Sequence, residues 1–403
     1  MKAAGIVAEY NPLHRGHIYH MQKTAELSGC DAVVVAMSGD FVQRGMPAVF
    51  DKWTRAGHAL RSGADLVIEI PAVHCLADAG TYAGAGVRLL EATGKVSHIS
   101  FGSECGDPEA LNSSADFIRR NAGAMKDGIT SLRKEGLSYP AARERVYRDL
   151  GGPAFASEIL SSPNDILALE YILAMKKAQP LVIKRKGAGY HMNGPEDADG
   201  SFMSAGGIRE MMRNSLDIRD HVPECVYESS KERYADEQLR SCEARLFDLV
   251  RYAVLSTDAV LIDECPSGGE GLGNLLKEKV LSAGDMTSLI ASVKSKRYTY
   301  TRISRLCMQV LLGIRRNELS APRYIRVLGF NDRGRKLLSE MRKGEDALLP
   351  VITNINKEKH LPDDDARKML ETDTHAADIY NLITAADMNA GSDHRQAPNI
   401  VSL

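Results

Sequence analysis

The chain has 403 residues, enough for two or three domains with ample core. It is 44% hydrophobic and 26% charged with a net charge of −2, which excludes a disordered chain and a uniformly basic coat, so any nucleic-acid affinity must come from a local patch. Its seven cysteines (30, 75, 105, 225, 242, 265 and 307) form no CxxC pair, which argues against a zinc ribbon or a disulfide framework. The chain opens as a strand rather than as a signal peptide, and no apolar run is long enough to cross a bilayer. The expectation is a cytoplasmic protein with no membrane partner.

The first half alternates apolar runs with helical patterns. Ala3–Val7, Ala32–Met37, Leu66–Ile70, His98–Phe101 and Leu181–Ile183 read as strands. Helices are expected over 17–27, 51–62, 74–92, 107–124, 140–150 and 163–176. The strands are continuously apolar, as in a doubly wound parallel sheet covered on both faces. After about residue 215 the strand pattern fades. Residues 237–257, 272–283, 285–292, 301–314, 331–342 and 363–384 read as helices, and 323–330 as a strand or a connector. The division expected is 1–215, an α/β domain, and 216–403, a mostly α-helical domain. The polar stretch from Ala385 to Leu403 reads as a mobile tail.

The most informative stretch is Glu9-Tyr10-Asn11-Pro12-Leu13-His14-Arg15-Gly16-His17, where the first strand hands over to the first helix. This is the ligand crevice of an open α/β sheet. Histidines at a helix N-terminus can hold phosphate oxygens beside the free amides, and Gly16 lets a nucleotide approach the backbone. A solvated polar turn is the bland alternative. Strand, HxGH and helix in succession outweigh it, and they resemble the signature of the nucleotidyltransferase superfamily, whose members attack the α-phosphate of ATP and expel pyrophosphate.

Further polar clusters follow the other strands. Ser38–Gly45 holds Asp40, Gln43 and Arg44 between glycines. Lys52 and Arg55 open a helix, where cations oppose the dipole unless they face an anion, so both are candidates for substrate contact. Gly102 ends the fourth strand. Asn164 follows a Ser162-Pro163 helix start and has a strong reading as a plain first-turn residue. Lys184-Arg185-Lys186, followed by Gly189-Tyr190-His191, suits a triphosphate, and Ser204–Arg209 opens a helix with Arg209 placed to clamp a leaving group. From Lys294 to Arg316 there are seven cations, no acid, and Tyr298 and Tyr300 between them. That strip fits RNA phosphates and unstacked bases as well as it fits an ordinary solvated helix, and Arg323 and Arg326 would extend it.

Together VAEYNPLHRGHIYH (7–20), MSGDFVQRG (37–45), FGSE (101–104), GLSYPAARE (136–144), SSPNDILALEY (161–171), IKRKGAGYH (183–191), SAGGIR (204–209), YTYTRISR (298–305) and LLGI (311–314) resemble the bacterial tRNA(Met) cytidine acetate ligases over most of the chain. The resemblance implies ATP-dependent formation of acetyl-adenylate, then acetylation of N4 of the wobble cytidine of elongator tRNA(Met). It places ATP on Val7, Ala8, Glu9, Tyr10, Asn11, Pro12, Leu13, His14, Arg15, Gly16, His17, Ile18, Tyr19 and His20, with further contacts at Gly102, Asn164 and Arg185. Mg²⁺ would help neutralise the phosphates, with no metal-binding cluster evident in the chain. The expected catalytic set is His14, His17 and Arg209 on the leaving pyrophosphate, with Asp40 orienting the base or accepting a proton. The chain departs from the pattern at Lys186, where an apolar residue is expected, at Asp165, where a second Asn is common, and at Gly206-Gly207, in place of a hydroxyl-rich centre. The runner-up reading is a small-molecule nucleotidyltransferase of the cofactor-synthesis type, and a third is a tRNA-binding protein with a degenerate nucleotide pocket.

Overall fold

The computed structural model describes residues 1–153, 159–160, 162–185, 202–233, 236–343, 347–357, 361–384 and 393–402. Lys186 and Gly189-Tyr190-His191, expected to meet a triphosphate, lie outside the described residues.

The chain begins β1 (Ala3–Ala8), α1 (Arg15–Ser28), β2 (Ala32–Ser38), a small antiparallel hairpin β3 (Phe41–Val42) and β4 (Met46–Pro47), then α2 (Lys52–Arg61) and β5 (Leu66–Ile70). It continues α3 (Ala72–Cys75), α4 (Ala79–Ala92) and β6 (Val96–Ser103), then α5 (Pro108–Arg120), α6 (Ala122–Lys134), α7 (Tyr139–Asp149), α8 (Pro163–Ala174) and β7 (Gln179–Lys184). Next come α9 (Ala205–Arg213), α10 (Glu224–Arg233), α11 (Asp236–Ser256), α12 (Ala259–Asp263), α13 (Leu272–Lys279), α14 (Met286–Val293) and α15 (Tyr300–Leu311). The last described elements are β8 (Ile325–Phe330), α16 (Asp332–Lys343), β9 (Val351–Ile352), α17 (Asp364–Thr384) and β10 (Asn399–Ile400).

The main sheet runs β10-β8-β5-β2-β1-β6-β7, with β9 also on β8. β1 lies between β2 and β6 and pairs parallel with both, so the winding reverses beside it. The crevice at its carboxyl end is where such sheets bind ligands. β2 (AVVVAMS) and β5 (LVIEI) are buried at every residue and, Ser38 and Glu69 apart, are apolar, as strands covered on both faces require.

Three details differ from the sequence reading. Pro71 and Asp78 punctuate the stretch expected as one helix over 74–92. It is two, because the Asp78 carboxylate caps the Gly80 and Thr81 amides of α4. Of the stretch 323–330, which fits a strand or a connector, Ile325–Phe330 forms β8, and it enters the first half's sheet antiparallel to β5. The tail is not loose over 393–402: β10 pairs with β8 and Asp393 is buried.

The helical part has its own core of Phe247, Val250, Leu276, Leu289, Leu306 and Tyr380. Phe41, Ala72, Val73 and Leu76 from the sheet part join it. Ile325, Val327, Leu337 and Met341 in turn pack in the core of the sheet.

Candidate functional site

The turn after β1 is built by short-range interactions. Tyr10 sits in the left-handed region at φ 48°, a backbone state that costs a non-glycine residue free energy and here lets its ring bury. The buried Tyr10 ring meets His17 edge-on, with centroids 4.9 Å apart. His14 is then the N-cap of α1, which starts two residues earlier than the periodicity suggests.

The two histidines cap that helix reciprocally. His14 Nδ1 accepts from the Gly16 amide at 3.1 Å, and His17 Nδ1 accepts from the His14 amide at 3.2 Å. A ring nitrogen that accepts carries no proton, so each imidazole holds its single proton on Nε2. The rings stack with centroids 3.7 Å apart. Burial pushes the His14 pKa down to about 3, helped by the charges of Arg185 and Arg209. Burial also drives His17 well below the usual range, with His14, Arg185 and His20 adding to it. His20 falls to about 4 through burial and Arg185. The pair is therefore neutral, with two Nε2–H donors set in place by the backbone. A Cβ on Gly16 would come within 2.9 Å of the His14 ring and 3.2 Å of Phe202 Cβ, so only glycine fits between them.

Two helix N-termini converge here. Ser204 caps α9 by accepting from the Gly207 amide at 3.1 Å. Arg209, one turn in, donates to the Asn11 carbonyl at 2.5 Å, tying α9 to the histidine loop. On the other side, Arg185 follows β7 and lies 3.9 Å from Glu104. Its aliphatic stem lies over Gly102, where a Cβ would meet its Cγ at 3.1 Å. Asn164 donates to the Glu104 carboxylate, and the neighbouring Asp165 amide binds the same group at 3.1 Å. Gly102, Asn164 and Arg185 are thus linked through Glu104. The electrostatic reach of Arg185 to His14, His17 and His20 joins that cluster to the histidines.

Asp40 stands in a different cluster. It is buried, and its carboxylate accepts the Lys52 amide at 2.7 Å. Burial raises it to about 6 against the pull of the Lys52 ammonium. Lys52 Nζ lies 2.8 Å from Glu69, 2.6 Å from Asp393 and 3.7 Å from Asp40. Arg326 completes the group at 3.1 Å from Glu69 and 2.9 Å from Asp393, and Trp53 Nε1 donates to Asp393 at 3.0 Å. The expectation that Lys52 and Arg55 open their helix toward a substrate is corrected. Lys52 is spent on carboxylates, and the buried Arg55 donates to the carbonyls of Glu9, Ser38, Gly39 and Phe50, holding the ends of β1 and β2. Arg326 is likewise no part of a surface patch. The sequence did carry a signal for this cluster: Glu69 and Arg326 each interrupt an otherwise apolar strand, and they face one another in the β5–β8 register.

The basic strip divides. Arg302 donates to the carbonyls of Ser267 and Gly268, and Arg316 to those of Asp263 and Cys265, so both hold the loop before α13. Arg323 pairs with Asp363 and Asp365. Lys294 and Lys296 are exposed, and Arg297 shares Glu270 with Arg133 and Arg302 beside the Tyr298 ring.

Residues 1–395 match the HIGH nucleotidyl transferase family. The chain belongs to that family. Its curated relatives include the tRNA(Met) cytidine acetate ligase of Clostridium perfringens (strain SM101 / Type A), 35% identical over 99% of this chain and 100% of the relative. Another is the enzyme of the same name from Clostridium novyi (strain NT), 36% identical over 99% of each. Crystal structures of Thermotoga maritima TmcAL superpose over the full length of both chains. The apo form gives a TM-score of 0.89 at 30% identity, and the form bound with alpha-thio ATP gives 0.87 at 31%. The α/β fold with a mostly parallel sheet is that of these neighbours.

Proposed function

We propose that this chain is an ATP-dependent acetate ligase acting on elongator tRNA(Met), and that residues 1–215 supply ATP binding while 216–403 add a tRNA surface. The observation that carries the chemistry is the histidine capping pair: two neutral imidazoles, Nδ1 committed to backbone amides and Nε2–H left to donate. ATP would lie across the carboxyl end of β1, in contact with the turn from Val7 to His20 and with Gly102, Asn164 and Arg185. An acetate oxygen attacks the α-phosphorus, the bond to the bridging oxygen breaks, and pyrophosphate leaves with that electron pair. The Nε2–H groups and Arg209 meet the charge that grows on the leaving group, where preset donors act most strongly. The N4 amine of the wobble cytidine then attacks the acetyl carbon and AMP departs.

Among the described residues no group of three or more His, Cys, Asp or Glu side chains is built to hold a metal ion. A Mg²⁺ that accompanies ATP would be carried on phosphate oxygens and water, its usual habit in such sites. No helix among the described residues is long and apolar enough to cross a membrane, and the reading places the enzyme in the cytoplasm with its tRNA. The exposed Lys294 and Lys296, with the half-buried Arg297 beside Tyr298, are the phosphate contacts this reading uses.

The test is incorporation of labelled acetate into bulk tRNA, with and without ATP, followed by nucleoside analysis. The expected result is ATP-dependent label in N4-acetylcytidine. ATP consumption only with small phosphorylated acceptors, and no label in tRNA, would replace this reading with a cofactor-type transferase.

A further inference from the structure

Three guanidiniums drawn from both halves of the chain share one carboxylate. Arg133, near the end of α6, lies 3.1 Å from Glu270 Oε1. Arg297 and Arg302 lie 3.0 and 3.5 Å from Glu270 Oε2. Glu270 sits at φ 62° on the loop before α13, and its carbonyl accepts from the Tyr298 hydroxyl at 3.1 Å. Arg302 is largely buried and spent on that loop, where it donates to the Ser267 and Gly268 carbonyls. Arg133 and Arg297 are 38% and 41% exposed. Among the described residues Glu270 is the sole ion-pair partner of both.

One carboxylate does not balance three guanidiniums. Positive charge is left over at a half-exposed place, and it draws an anion. Lys294 and Lys296 stand exposed on the same loop as Arg297 and Tyr298 and add to it. An aromatic side chain joins from the first half. Tyr139 opens α7, is 51% exposed, and belongs to GLSYPAARE (136–144), a stretch that the ATP site leaves without a role. The charges of Arg143, Glu170, Asp78 and Arg133 act on its hydroxyl, so it stands close to Arg133. Asp78 and Arg302 are in turn the charges that act on Arg305. Arg305 donates to the Gln43 carbonyl at 3.3 Å, and the Gln43 amide donates to Glu9 at 3.0 Å. The patch thus borders the hairpin after β2, which is tied to the turn after β1.

We propose that Arg133 and Tyr139, from the α6–α7 pair, join Lys294, Lys296 and Arg297 in one RNA surface that crosses between the halves and holds the unpaired loop around the acceptor cytidine. This rests on the ligase reading above and carries the tRNA surface beyond 216–403. Arg133 and Arg297 meet backbone phosphates, held side by side by Glu270 and, for Arg297, by the Tyr298 ring 5.9 Å away. The exposed Tyr139 ring takes an unstacked base. An unpaired RNA loop offers both a row of phosphates and bare base faces, the two features this surface matches.

The experiment measures binding of an elongator tRNA(Met) transcript, and of its isolated anticodon stem-loop, across a salt series. It compares wild type, Arg133→Gln, Tyr139→Ala and Tyr139→Phe. Acetylation of the transcript by wild type reports on the ligase reading, and binding by the variants reports on the surface. Arg133→Gln breaks only a half-exposed ion pair, which adds little to folding, and melting curves verify that each variant is folded. Arg133→Gln is expected to weaken binding of both RNAs and to lower the slope of log affinity against log salt by about one. Tyr139→Ala is expected to weaken stem-loop binding at least about fivefold with the salt slope unchanged. Tyr139→Phe is expected to bind as wild type does, because stacking needs the ring and not the hydroxyl. A wild-type salt slope in Arg133→Gln, wild-type affinity in Tyr139→Ala, or binding as weak in Tyr139→Phe as in Tyr139→Ala would each overturn the proposal.

Discussion

The histidine turn and the Lys52 charge cluster lie at the carboxyl edge of the same sheet and are built in opposite ways. The turn is made from one run of residues, with its hydrogen bonds spanning two or three positions. The cluster draws Asp40, Lys52, Glu69, Arg326 and Asp393 from five separate places in the fold, and Lys52 and Asp393 are 341 residues apart. Among the described residues the Nε2 atoms of His14 and His17 have no hydrogen-bond partner. The cluster satisfies its charges internally and fastens the tail to the sheet. What the comparison teaches is that charge at a sheet edge is not by itself a substrate site: the cluster's charges lie against opposite charges, whereas the turn presents neutral Nε2–H donors.

The largest expected effect tests the cluster. Lys52→Met leaves Glu69 and Asp393 buried beside a single cation, and loss of one partner of a buried ion pair costs about 3–5 kcal/mol. Denaturant midpoints should show it, and a chain truncated before Asp393 should lose comparable stability. A Lys52→Met protein of wild-type stability would mean the cluster holds nothing together. Next comes the turn. His17→Ala removes one set donor, and acetate-dependent exchange should fall about 10²–10³-fold, as for one oxyanion donor. A fall in melting temperature without a fall in exchange would reduce the pair to a helix cap.

A smaller effect is expected at the exposed end of the basic strip. Replacing Lys294, Lys296 and Arg297 together by Gln should weaken tRNA binding about tenfold or more at moderate salt and flatten its salt dependence. Unchanged salt slopes would move the tRNA surface elsewhere.

The smallest effect separates the two regions by the sign of their pH dependence. His20 is depressed to about 4, so its contribution is present above the unfolded value of 6.5 and is lost as the pH falls toward 4. Asp373 of α17 borders the cluster, accepting from the Tyr324 hydroxyl and the Ala72 amide, and burial and the nearby Glu69 raise it to about 7. Its contribution is complete below the unfolded value of 3.8 and is lost as the pH rises through 7. His20→Gln should therefore flatten the acid-side loss of stability, while Asp373→Asn should flatten the loss on the neutral side. Stability curves that shift in the same direction would contradict the assignment.

Legibility followed locality. The β1 turn, the helix starts at Asp51 and Pro163, and the buried β2 and β5 could be read because their determinants are neighbours in sequence. The antiparallel return of β8 could not, since RYIRVLGF fits a strand or a connector until a partner exists. Lys52 and Arg55 looked like anion contacts because their partners come from the tail, from β5 and from backbone carbonyls. The basic strip reads two ways in sequence for the same reason: two of its seven cations, Arg302 and Arg316, find their acceptors in a loop some 35 to 53 residues away.

The measurement that bears most directly on the central claim is ATP–pyrophosphate exchange with and without acetate. The account predicts exchange that requires acetate and that collapses in His17→Ala. Exchange that proceeds equally without acetate, or that survives loss of the histidine, would contradict it.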